Sequence, residues 1–187
     1  MVQTPSSNTD ANSNSPLDGL SHGFSPFLGR EAEIAQIKQL LKDKRLVTLC
    51  GEDGVGKTSL ALKVAGEVRE QFGDGVYLVP LDTIVSLESI IGVIARKLGI
   101  KINPRFGLLE QFFQELSPKK ILLILDDFET GPDQNRFLKQ LFDLTSDVKV
   151  VITSREYLRS NGETVVKLDG LPVPDPDTLD AETSPSV

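Results

Sequence analysis

The strongest chemical signal in the chain is Gly51-Glu52-Asp53-Gly54-Val55-Gly56-Lys57-Thr58, followed by Ser59. It fits the pattern G-x-x-x-x-G-K-[ST] without a gap. Glycines at these spacings let the backbone curl until several N–H groups face one anion. A helix starting directly after the loop adds the positive end of its dipole. Lys57 can place its ammonium between the β- and γ-phosphates of a nucleotide, and Thr58 can place a hydroxyl on Mg²⁺. An ordinary glycine turn needs neither Lys57 nor Thr58. The whole run Gly51, Glu52, Asp53, Gly54, Val55, Gly56, Lys57, Thr58 and Ser59 is therefore the expected phosphate cradle.

Two further patterns carry chemistry. In Ile121-Leu122-Leu123-Ile124-Leu125-Asp126-Asp127, five apolar residues run into two acids. At the end of a buried strand beside the loop, Asp126 could hold Mg²⁺ directly or through water. Asp127 could orient or deprotonate an attacking water, with Glu129 in reserve for that role. The competing reading is a strand that ends in solvated acids, since Asp commonly begins turns. In Val150-Val151-Ile152-Thr153-Ser154-Arg155-Glu156, a strand ends in two hydroxyl residues and an arginine. If it neighbours the Asp126 strand, Arg155 reaches toward the γ-phosphate and can neutralise its charge. The competing reading is a surface arginine paired with Glu156. Phe27-Leu28-Gly29-Arg30-Glu31 reads, on its own, as a glycine turn before a helix.

The elements that must position these residues follow from periodicity. Glu31 to Lys42, Thr58 to Gln71, Leu87 to Leu98, Leu108 to Leu116 and Phe137 to Phe142 have apolar residues at helical spacing. Short apolar runs at Leu46 to Cys50, Val76 to Val79, Ile121 to Leu125, Val148 to Ile152 and Thr164 to Leu168 read as strands. Uninterrupted runs suit strands covered on both faces. Strands alternating with helices imply a parallel sheet sandwiched between helical layers.

The 187 residues are 39% hydrophobic and 25% charged, which excludes uniform disorder. Residues 1–26, rich in Ser, Asn, Thr and Pro, read as a disordered leader, and 172–187 as a flexible acidic, proline-rich tail. The folded domain is expected over 27–171. All Lys and Arg lie between Arg30 and Lys167, so the net charge of -7 belongs mainly to the ends. A pI of about 4.8 argues against wrapping nucleic acid by bulk charge. The single cysteine, Cys50, excludes an intrachain disulfide and is expected to pack at a strand end. It points to a reducing compartment, and a cytoplasmic location is expected. With one His (His22, in the leader, with no role assigned), a His/Cys zinc cage cannot be built. No apolar run approaches the ~18 residues of a membrane span, and the first residues lack the features of a signal peptide.

Gly29-Arg30-Glu31, the phosphate loop, Leu125-Asp126-Asp127 and Thr153-Ser154-Arg155-Glu156 stand in the order and spacing of a STAND-class ATPase. The chain resembles the P-loop nucleotide-binding core called NB-ARC and its bacterial regulator relatives, over about 27–172. Phe72-Gly73-Asp74-Gly75-Val76, Leu98-Gly99 and Leu168-Asp169-Gly170-Leu171-Pro172 support it. The resemblance implies a three-layer α/β/α sandwich on a five-stranded parallel sheet of order 5-1-4-3-2. It places Leu28, Gly29 and Arg30 at an adenine and ribose pocket, and makes Asp126 and Asp127 the Walker B acids. Arg155 becomes the phosphate-sensing arginine. The implied ligands are ATP or ADP with Mg²⁺, and adenine is expected over guanine. The implied function is a nucleotide switch with slow hydrolysis, in which ADP holds a closed state and ATP an open, oligomerising one. Its partners would be copies of itself or other protein domains, with no membrane or direct nucleic-acid contact. Family members continue into helical and winged-helix subdomains, where this chain has its Pro/Asp tail. Two other classes compete: a phosphotransferase or kinase, against which no Arg-rich segment follows the third strand, and a non-hydrolysing interaction module, against which Lys57, Thr58, Asp126 and Asp127 are all intact.

Overall fold

The computed structural model describes residues 29–82, 84 and 86–170. The leader, Phe27, Leu28, Leu171 and the tail lie outside the described residues. Helix α1 (Glu31–Asp43) leads to strand β1 (Leu46–Cys50), and α2 (Lys57–Val68) continues through a 3-10 turn at Arg69–Gln71 to β2 (Val76–Pro80). Then come α3 (Leu87–Leu98), α4 (Leu108–Leu116), β3 (Leu122–Asp126), α5 (Pro132–Leu144), β4 (Lys149–Ser154) and β5 (Glu163–Lys167).

Helix ends follow local chemistry. Ser86 caps α3 by accepting from the Ser89 N–H at 3.2 Å. Gly99 ends it in the left-handed region at φ 70, and the Ile100 N–H then reaches Ala95 O at 2.8 Å. Helix α5 is longer than its apolar periodicity suggests. It begins at Pro132, whose fixed φ suits a first helical position, and runs on to Leu144.

Among the described residues the sheet has five strands, all parallel, in the order β2-β3-β4-β1-β5. This is the expected 5-1-4-3-2 read from the other edge. Strand alternation sends Leu122 and Ile124 to one face and Leu123 and Leu125 to the other. The first face packs with Ile37, Leu41, Leu60, Val64 and Val68 of α1 and α2. The second packs with Ile90, Ile91 and Ile94 of α3, Phe112 of α4, and Phe137 and Leu141 of α5. Residues Leu122 to Leu125 of β3 are all buried because both faces are covered.

One polar side chain fastens the end of the sheet remote from the phosphate loop. Arg45, just before β1, donates to Val148 O and Phe142 O, each at 3.1 Å, and to Thr145 Oγ1 at 2.7 Å. Its guanidinium also lies 4.9 Å from the centre of the Phe142 ring. It thereby joins the start of β1 to the end of α5 and the start of β4. Replacing Arg45 by Met leaves those acceptors without their donor, at a cost of about 2–3 kcal/mol. For a domain of this size that lowers Tm by roughly 5–10 °C. A melting curve followed by circular dichroism checks this, and an unchanged Tm contradicts the assignment.

Candidate functional site

Parallel strands leave the sheet at one end, and the residues singled out for chemistry gather there. β1 is buried throughout and gives way at Gly51, whose N–H reaches Ser154 O of β4 at 3.3 Å. A Cβ on Gly51 would stand 2.6 Å from Leu168 O, so the chain leaving β5 requires glycine at this position. Gly54 and Gly56 lie at φ +78 and +94, where side chains are strained even though the space is open. Gly56 accepts the Leu60 N–H at 2.9 Å and opens α2. No side chain caps that helix and its first turn holds no acid, so its first N–H groups face the loop.

Lys57 is 6% exposed and lies beneath the loop. Its Nζ donates to Gly51 O at 2.8 Å and Glu52 O at 2.9 Å. Asp53 Oδ1 is 3.6 Å from the same nitrogen. Val55 holds the far side of the loop, and its carbonyl accepts from Arg30 Nη2 at 3.0 Å. Arg30 is itself buried, at 3% exposure, and also donates to Asp169 O at 2.7 Å and Glu33 Oε1 at 3.1 Å. It therefore ties the start of α1 to both the loop and the exit of β5. Gly29 precedes it at φ 92, and Leu28 lies outside the described residues.

The centre of the site is one carboxylate oxygen. Leu125 of β3 pairs with Ile152 of β4, so the next residues, Asp126 and Thr153, emerge side by side. Thr153 Oγ1 donates to Asp126 Oδ1 at 2.6 Å, and Thr58 Oγ1 of α2 donates to the same oxygen at 2.7 Å. Thr153 Oγ1 also accepts the Asp127 N–H at 3.0 Å, and its carbonyl accepts the Phe128 N–H at 3.0 Å. Asp127 takes a left-handed φ of 52, which Asp tolerates better than most residues, and Phe128 is buried beyond it. The exposed Asp127 lines a cleft of about 750 Å³ with Asp53, Asp82, Glu129, Arg155 and Glu156.

Arg155 follows β4 directly and is 60% exposed. Its Nη2 donates to Glu129 Oε1 at 2.9 Å, and its Nη1 is 3.7 Å from Asp53 Oδ2. The paired acid is thus Glu129, not the adjacent Glu156, whose N–H bonds to Ser154 Oγ at 3.2 Å. Cys50 is buried and its Sγ donates to Arg155 O at 3.3 Å. Burial raises the thiol's pKa, against a smaller opposing effect of Lys57. It therefore stays protonated and serves as packing.

Sequence reasoning noticed Thr153 only as a hydroxyl at a strand end. Its role needed the register of β3 against β4, which sets Asp126 beside Thr153 and which the expected sheet order does not specify. Asp53 had no signal beyond its place in the loop. For a metal, Thr58 and Asp126 supply hard oxygen donors in contact with each other at the mouth of the glycine cradle. No cluster of three His, Cys, Asp or Glu suited to a metal occurs among the described residues. The set fits Mg²⁺, which binds few protein oxygens and completes its shell from water and phosphate.

Because the buried Thr153 Oγ1 both donates to Asp126 and accepts from the Asp127 N–H, Thr153→Val should cost about 1–3 kcal/mol of stability. Thr153→Ser, which keeps the hydroxyl, should recover most of that loss. Urea unfolding of the two variants measures the difference, and equal midpoints contradict the hub.

Residues 39–161 match the family model described as AAA domain. An uncharacterised protein of Mycobacterium tuberculosis is 33% identical over 103 residues, covering 55% of this chain and 26% of that protein. A protein of the same organism named as an HTH-type transcriptional regulator is 29% identical over 140 residues, covering 74% of this chain and 16% of that protein. The chain therefore spans no more than about a quarter of the length of these curated relatives. Among solved structures, Cdc6p of Pyrobaculum aerophilum superposes with a TM-score of 0.62 at 22% identity, over 78% of this chain and 48% of that one. A Signal Transduction ATPase with Numerous Domains (STAND) from Pyrococcus horikoshii superposes with a TM-score of 0.54 at 23% identity, over 78% of this chain and 24% of that one. With its glycine loop, its paired Thr58 and Asp126 and its sheet order, the chain belongs to the AAA-domain family of P-loop NTPases, and it shares its fold with the STAND protein of Pyrococcus horikoshii.

Proposed function

We propose that this chain is the ATP- and ADP-binding module of a STAND-type signalling or regulatory ATPase, a nucleotide-dependent switch that hydrolyses ATP slowly. The observation that carries the reading is the meeting of Thr58, Asp126 and Thr153 at one oxygen beside the glycine cradle. A plain strand-to-helix turn has no use for that convergence. The M. tuberculosis relative named as a transcriptional regulator supports a regulatory setting. Adenine is the proposed base, on the family resemblance of Gly29 and Arg30.

The chain's own residues divide the work. The loop N–H groups and Lys57 bind the phosphates. Thr58 and Asp126 would hold Mg²⁺, which when bound neutralises phosphate charge. Thr153 fixes the Asp126 carboxylate through its hydroxyl. Asp127, held at the cleft by the bond from its N–H to Thr153, orients or deprotonates the attacking water. Arg155 answers the charge of the terminal phosphate.

Slow turnover follows from the electrostatics of the cleft. Among the described residues, Asp53, Asp82, Asp127, Glu129 and Glu156 line it with Arg155 as the one cation. Fast phosphoryl transfer needs positive groups preorganised on the developing charge, and here the acids outnumber them. Phosphate release by this chain should stay below the ~1 s⁻¹ that marks the low end of ordinary enzymes. Asp127→Asn is the proper background, since Asn tolerates the left-handed φ at this position. Turnover of roughly tens per second, abolished in that variant, would overturn the slow-switch reading.

Binding provides the second test. Lys57→Ala should weaken ATP and ADP binding about tenfold to a hundredfold, with far-UV dichroism unchanged. Asp126→Asn should weaken Mg²⁺-dependent binding more than metal-free binding. Titration calorimetry with ATP, ADP and GTP, with and without Mg²⁺, measures all of these. Unaltered affinity in a folded Lys57→Ala chain would remove the phosphate assignment, and GTP binding as tight as ATP would remove the adenine preference.

A further inference from the structure

We propose that Asp53 acts as an internal competitor for phosphate, and that its hold on Arg155 sets the preference between ATP and ADP. The inference rests on the proposed nucleotide site. Asp53 occupies a position of the glycine loop where backbone geometry demands no particular side chain. Its two carboxylate oxygens face different cations: Oδ1 lies 3.6 Å from Lys57 Nζ, and Oδ2 lies 3.7 Å from Arg155 Nη1. These are the two cations assigned to the phosphates. A carboxylate between them resembles, in charge and reach, the terminal phosphate that would take its place.

The three groups differ in how freely they can let go. Lys57 is almost buried and is anchored by the carbonyls of Gly51 and Glu52, so it stays in place whatever Asp53 does. Asp53 is 72% exposed and Arg155 is 60% exposed, so their side chains can part into water without a burial penalty. Glu129 holds the other arm of Arg155. A ligand that draws Arg155 toward the loop must first displace Asp53. The terminal phosphate of ATP reaches Arg155, whereas ADP lacks it. Asp53 should therefore tax ATP more than ADP, and ion pairs this exposed are worth a modest, salt-sensitive amount.

The test is a double-mutant cycle on the whole chain, read by titration calorimetry at low salt with Mg²⁺. Wild type, Asp53→Asn, Arg155→Met and the double variant are each titrated with ATP and with ADP. Asn keeps the turn chemistry of Asp while removing its charge. Asp53→Asn should tighten ATP roughly two- to tenfold and ADP by less. The gain should largely disappear in the Arg155→Met background and shrink at high salt. No tightening overturns the proposal. So does an equal gain for ATP and ADP, or an equal gain in both backgrounds, because Asp53 would then merely repel nucleotide. Lys57→Ala, titrated alongside, separates the two levels: if it binds ATP as well as wild type, the phosphate site itself is wrong and the competitor falls with it. If Lys57→Ala loses binding and Asp53→Asn gains none, the site stands and only the competitor is rejected.

Discussion

A single carboxylate oxygen joins three separate parts of the chain. Asp126 Oδ1 accepts the Thr58 hydroxyl from the first turn of α2 and the Thr153 hydroxyl from the end of β4. The glycine loop is thereby fixed against β3 and β4, although it springs from β1. β4 stands between β1 and β3 in the sheet, so its last residues are the natural bridge. The position of Asp127 depends on the same hub, since its N–H ends on the Thr153 hydroxyl. Bonds to a charged acceptor are stronger than neutral ones, which suits a junction that must hold its geometry at the mouth of a cleft.

Two arginines secure opposite ends of β1 in a related manner. Arg45 gathers carbonyls and a hydroxyl where the strand begins, and Arg30 gathers carbonyls of the loop and of Asp169 near where it ends. In both cases a planar, multi-donor cation satisfies backbone acceptors that belong to no regular ladder. Between these fastenings the two apolar cores cover the faces of the sheet and leave its C-terminal edge to polar groups.

The site also carries an internal electrostatic tension. Lys57 and Arg155, the cations proposed to meet phosphate, both stand close to Asp53, and Arg155 is also held by Glu129. The acids that line the cleft oppose the charge of a phosphate rather than answer it.

The sequence by itself determined a good deal. Its apolar runs and helical periodicities located the strands and α-helices of the described residues, because parallel strands covered on both faces leave an unbroken hydrophobic signature. The glycine loop was legible because its glycines answer to backbone geometry: Gly54 and Gly56 need a left-handed φ, and Gly51 lacks room for a Cβ. The sheet order came from family resemblance, and the pairing register agrees with it. Other features were decided only in three dimensions. Thr153 became a hub because the register of β3 against β4 sets it beside Asp126, 27 residues away in the chain. Arg155 met Glu129 and Asp53 instead of its neighbour Glu156 because the loops after β1, β3 and β4 converge at one edge. Arg30 reached Asp169 across 139 residues for the same reason. Local pattern records what each segment must bury, whereas polar contacts between loops depend on where the strands deliver them.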